Sequence, residues 1–244
     1  MVTPPTAPTA PGRPALRIAT LMILLAACAP ARQAQPAPGM ASFRPAMGDV
    51  QRVPKIGDLG VWMLTGSLRP ATWLDQPYHS RTLREPVNVV MLDRAARTPE
   101  EATARLLAAL TAAGYPPRSM HSDGYWGLLG GEIRSQLPRS GQGEAFSDGP
   151  AYASNNHGRM FGPWKVPSGY VFTGAFSRED LSLLPAPRHT YNSFQVAREN
   201  VAARLTARSA YKKTSYLNLN SRLDTSMTTT GDHDGRAVLL VAAP

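Results

Sequence analysis

Asn155-Asn156-His157-Gly158-Arg159-Met160-Phe161-Gly162, then Pro163-Trp164-Lys165-Val166-Pro167-Ser168-Gly169, then Tyr170-Val171-Phe172-Thr173-Gly174-Ala175-Phe176-Ser177-Arg178-Glu179-Asp180 run unbroken through the middle of the chain. The outer segments read as strands and the Pro/Gly-rich segment as their connection, which makes a β-hairpin with a long loop. Residues 157–161 are expected to pair antiparallel with 170–176. Alternation then sets Tyr170, Phe172, Gly174 and Phe176 on one face and Val171, Thr173 and Ala175 on the other. The same period places His157 and Arg159 on one face, roughly 7 Å apart. Gly174, inside a strand, marks a close approach by another group. Glu179 and Asp180 adjoin Arg178 and read as a solvated turn rather than a catalytic carboxylate pair.

Working outward, Pro86 to Asp93 is a nearly continuous apolar run, as in the centre of a sheet covered by helices. A helix follows. Thr98 is its N-cap, Pro99 sits at N1 and Glu101 closes a capping box. Ala102, Leu106, Leu110 and Ala113 form its apolar stripe, Glu101 and Arg105 an outer i,i+4 pair, and Gly114 its stop. A second helix is expected from about Asn192 to Arg208, burying Phe194, Ala197, Val201 and Leu205 and wetting Arg198, Glu199, Arg204 and Arg208. Leu59–Thr65 reads as a first strand, and Ala237–Val241 lies in a last one. Residues 66–85, Ser135–Ala153 and Leu181–His189 read as irregular or loop. Residues 214–230 read as a strand or an exposed loop, and 231–235 as a turn. The fold class is α+β: a mixed β-sheet with two helices packed on it, one globular domain over residues 55–244.

The N-terminus tells where the protein goes. Arg13 and Arg17 precede an apolar run of about ten residues, Ile18 to Ala27, too short to span a bilayer. A basic region, a short apolar core and small residues at its end make residues 1–27 a signal peptide. Leu25-Ala26-Ala27-Cys28 resembles a bacterial lipobox, which implies diacylglycerol on the Cys28 thiol and cleavage after Ala27. Cys28 is the chain's only cysteine, which leaves no internal disulfide and no Cys-rich zinc site. Residues 28–54, rich in Pro, Ala and Gln, read as a disordered, lipidated tether. The expected partner is the membrane, through the lipid anchor, at the periplasmic side of the cell envelope. Ala29 after Cys28 resembles the outer-membrane sorting pattern. The formal charge is +9, or +7 once Arg13 and Arg17 leave with the signal peptide. The basic residues are scattered rather than clustered, so no nucleic acid is expected.

From Glu85 to the C-terminus, about two thirds of the chain, the residues carry a series of motifs. Pro86-Val87-Asn88-Val89-Val90, Ala108 to Tyr115, His157-Gly158-Arg159-Met160-Phe161, Tyr170 to Ala175, Arg188-His189, Arg198-Glu199-Asn200-Val201 and Gly235-Arg236-Ala237-Val238 follow in order. Together they resemble the LssY C-terminal domain family of bacterial envelope proteins. Phe161 and Phe172 stand where that family has tryptophans, and residues 131–154 look unlike it. The resemblance implies no established activity.

His157 and Arg159 can bind a phosphate or carboxylate, since arginine offers a forked donor and histidine a titratable one. His189 and Arg198 join them as candidate anion- or ligand-binding residues, because the family pattern places all four in recurring motifs. The alternative is a buried polar network bracing the hairpin. No HxH or HxxxH spacing links His157, His189 and His233, so neither a metal ion nor a cofactor is expected. No Gly-x-Ser-x-Gly elbow and no phosphate loop occur. Trp126, Trp164 and Tyr170 can line a groove, though sheet aromatics are more often core. Two classes stay open. One is a non-catalytic binding or scaffolding domain for an envelope protein or anionic ligand. The other is a small envelope hydrolase or phosphate-ester-binding enzyme using His157, Arg159 and His189.

Overall fold

The computed structural model describes Met1 and residues 44–122, 124–138, 143–184 and 188–244. The expected signal peptide, Cys28 and the tether as far as residue 43 lie outside the described residues. In chain order the elements begin with β1 (Val50–Val53), β2 (Gly57–Gly60), β3 (Thr72–Tyr78), β4 (Arg81–Arg84) and β5 (Val89–Asp93). Helix α1 (Pro99–Ala112) precedes β6 (Pro117–Arg118), β7 (Trp126–Leu129), β8 (Glu132–Leu137) and β9 (Ala145–Ser147). Then come β10 (Asn155–Val166), β11 (Gly169–Ser182), β12 (Arg188–Ser193), α2 (Phe194–Arg208), β13 (Tyr211–Asn218), β14 (Thr228–Thr229) and β15 (Arg236–Ala242).

The hairpin of β10 and β11 is the spine. Its register sets His157 opposite Ser177, Arg159 opposite Ala175 and Phe161 opposite Thr173. The connection is shorter than expected: β10 runs on to Val166, leaving Pro167 and Ser168 as the turn. Pro163 is accommodated by a register shift between Phe161 and Trp164, where Gly162 adopts a φ of 126°. The Met160 sulfur occupies the space that a Cβ on Gly174 would need, so the close approach expected at this glycine is present.

The main sheet runs β1-β2-β7-β8-β10-β11-β5-β15-β13, with β12 added to the far end of β11. Among the described residues, β5 and β15 are the one parallel pair within it. Asn220, just past β13, donates from Nδ2 to Gln51 Oε1 in β1 at 2.9 Å, drawing the two ends of the path together. The sheet is nearly barrel-shaped, and it dominates the two helices. Val90, Leu92, Phe161, Val171 and Ala175 pack with Trp62, Leu64 and Trp126 on the inner face. Met91, Met160, Phe172 and Phe176 pack on the outer face against Leu106 and Leu110 of α1 and Val201 and Leu205 of α2. Burying each such side chain contributes about 1.5–3 kcal/mol. Trp164 and Tyr170 are core, as is Trp126.

Both helices start as their caps dictate. Thr98 accepts from the Glu101 amide at 3.1 Å, and Ser193 accepts from the Val196 amide at 2.8 Å. Gly114, at φ 83°, follows the end of α1. No helix among the described residues is long and apolar enough to cross a membrane.

Several expectations need correction. The sheet begins at Val50, inside the segment read as tether, because Val50 and Val53 are too sparse to show a period. Residues 66–85 contain β3 and β4, whose exposed and half-buried residues lack alternation. Pro77 is tolerated because β3 pairs only with β4. Ser135–Ala153 contains the end of β8 and all of β9, strands too short to signal. Leu181–His189 holds the end of β11 and the start of β12. Arg105 turns from Glu101 to the buried Asp93, 2.7 Å away, which also accepts from Tyr211 and the Ala95 and Ala96 amides.

Candidate functional site

At the open end of the hairpin the inner face stops being apolar. Alternation continues the row Val171, Thr173, Ala175 through Ser177 to Glu179, and its partners on β10 are Arg159, His157 and Asn155. Glu179 is therefore a buried strand residue, 4 % exposed, and not part of a solvated turn. Asn155 holds it in place, donating from Nδ2 to Glu179 Oε1 at 2.9 Å and to the Ala153 carbonyl at 2.8 Å. Asn155 Oδ1 lies 3.1 Å from His157 Nδ1, which is 3.6 Å from Glu179 Oε1.

Two further histidines reach this group. His189, on β12, brings Nδ1 to 3.0 Å from Glu179 Oε1, yet its ring is not aligned for a hydrogen bond and the nitrogen has no hydrogen-bond partner. His121, in the loop after β6, stacks on His157 with ring centroids 4.9 Å apart, and its Nε2 is buried without a hydrogen-bond partner among the described residues. His121, His157 and Glu179 each present a donor atom within 4.8 Å of the others.

Arg159 lies at the same end but its fork is spent on the protein. Nε and Nη2 donate to the Ser122 carbonyl at 3.2 and 2.8 Å, Nη2 also reaches Ser122 Oγ at 2.9 Å, and the guanidinium lies 4.9 Å from the centre of the Tyr125 ring. It braces the loop that carries His121. Buried Glu85, which follows β4, faces the Arg159 and Glu179 charges.

Burial sets the electrostatics here. It holds His157 well below the usual imidazole range, helped by Arg159, His121 and His189. It lowers His121 to about 4, again with Arg159 and His189 assisting. Both rings are thus neutral near pH 7, and His157 faces Glu179 as a dipole, not as an ion pair. Burial pushes Glu85 up to about 7 despite Arg159, and raises Glu179 against the pull of His189, Asn155 and Arg159.

The structure brings together His157, Arg159 and His189 but not Arg198. Arg198 was expected on the wet side of α2, yet it is 2 % exposed. Nη1 and Nη2 grip Asp234 at 2.6 and 3.2 Å, Nη1 also donates to the Arg236 carbonyl, and Nε donates to Glu199. Arg198 thus ties α2 to the start of β15. His233 is separate as well, buried against Ser221 Oγ at 2.8 Å.

Sequence reasoning did not place Glu85, His121 and Glu179 in this cluster. Carrying the hairpin alternation two steps past Ala175 would have placed Glu179 inside. Nothing local marks His121, which arrives by a loop, or Glu85, whose burial depends on the strand path. Comparisons with family models, with curated proteins and with solved structures found no match to this chain.

Proposed function

We propose that this protein is a bacterial envelope lipoprotein, held to the membrane through Cys28, with a non-catalytic binding or scaffolding domain. Its ligand end is the His157–Glu179 cluster. The observation that carries the reading is the convergence of His157 and His189 on the buried Glu179, with Arg159 at the same end of the hairpin. Ionisable groups placed there cost stability, and functional sites are where such costs concentrate. The resemblance to a lipobox and to the LssY C-terminal domain supports the envelope setting, with the outer membrane and the periplasmic face as the location.

A small hydrolase or phosphate-ester-binding enzyme is the second reading, favoured by two imidazoles beside one carboxylate. Engagement of the Arg159 fork by Ser122 weighs against it, because a bidentate grip on phosphate would require breaking those bonds. Cys28→Ser tests the anchor: lipid labelling should vanish and the protein should leave the membrane pellet, since one acylated residue supplies the attachment. Unchanged fractionation would reject the lipoprotein reading.

A further inference from the structure

The geometry points to a divalent transition-metal site at His121, His157 and Glu179, with His189 closing it from the solvent side. This deepens, and rests on, the reading of the domain as a binding module with its ligand end at this cluster.

The donor set is two imidazoles and a carboxylate, a combination that suits zinc and its neighbours rather than calcium or magnesium. The three donors already lie within 4.8 Å of one another. Donors around one zinc ion stand about 3.3 Å apart, so the side chains must draw inward by about 1.5 Å at most. His121 is carried on a loop and stacked on His157, with ring centroids 4.9 Å apart. His189 Nδ1 is already 3.0 Å from the same Glu179 oxygen, and its side chain, 24 % exposed, gives an ion a route in.

A second observation points the same way. Among the described residues, His121 Nε2 and His189 Nδ1 are buried polar atoms without a hydrogen-bond partner. Native proteins seldom leave such atoms orphaned, and a bound ion is one of the ordinary explanations. The surroundings supply the outer shell such sites use: Asn155 fixes both Glu179 Oε1 and His157 Nδ1.

The test uses the full chain, stripped with EDTA and titrated with Zn2+ against a chromophoric chelator. One ion should bind per chain and raise the Tm. His121→Ala should weaken binding at least about 100-fold. His79→Ala, at an exposed histidine outside the cluster, should leave it unchanged. Glu179→Gln, checked for folding by circular dichroism, is the second variant and should also lose the ion. Absence of stoichiometric Zn2+ binding, or binding that survives both His121→Ala and Glu179→Gln, overturns the site. If inorganic phosphate rather than Zn2+ raises the Tm, the metal proposal falls and the binding module stands. If neither does, both fall.

Discussion

The polar groups buried around Arg198 and those buried around Glu179 differ in how completely they are satisfied. Around Arg198 all three guanidinium nitrogens donate, Asp234 is gripped from both sides by Arg198 and Arg236, and Tyr216 lies 5.0 Å from the guanidinium. Burial alone would raise the Asp234 pKa, but the two arginines hold it well below the usual carboxylate range. Around Glu179, by contrast, two histidines carry orphaned nitrogens, two rings stack without bonding, and two carboxyls are pushed upward. A saturated network fastens elements together. An unsaturated one costs stability, which a bound ligand would restore. Sequence pattern alone does not separate the two groups, whereas the partners of Arg198 and of the histidines around Glu179 do.

The largest effect should come from the brace. Arg198→Ala removes a donor from the Arg236 carbonyl and leaves Asp234 to Arg236 alone, and should cost about 3–4 kcal/mol in denaturant unfolding, toward the low end for a broken buried pair because Arg236 still serves Asp234. Zn2+ affinity should stay unchanged. A loss of affinity in a folded Arg198→Ala protein would break the distinction between the two clusters.

Next comes the pH response of the unsatisfied cluster, measured in EDTA. The Glu85 carboxyl titrates near 4.5 when unfolded and at about 7 when folded. Between those values the unfolded chain has released a proton that the folded protein still holds. Stability from this group is therefore full below pH 4.5 and is lost as pH rises to 7, by about 3 kcal/mol. Glu85→Gln should remove that slope from a pH series of melts. An identical slope in the variant would mean that Glu85 is not the group responsible.

Arg159→Ala should have the smallest effect, about 1–3 kcal/mol, since it removes the donors on the Ser122 carbonyl. It should also free the loop that carries His121, which faster amide exchange in residues 119–122 would register. A melt within error of the wild type, with unchanged exchange, would make Arg159 neither brace nor ligand.

The sequence by itself determined the hairpin, its faces, the Gly174 contact and the first helix with its caps, because these rest on period-two alternation, capping chemistry and glycine sterics within a few residues. It also pointed to His157, Arg159 and His189. It did not reveal β3, β4, β8, β9 or β12, which are short or polar and acquire their pairing from neighbours. Nor could it separate Arg198 from the others, because the acceptors that claim its donors, Asp234 and the Arg236 carbonyl, lie far along the chain. Tertiary structure alone decided that Glu179 faces inward, that His121 crosses over on a braced loop, and that Glu85 is buried beside them. Those outcomes depend on the curling of the sheet, which joins segments nearly a hundred residues apart into one low-dielectric interior where unpaired polar atoms stand out.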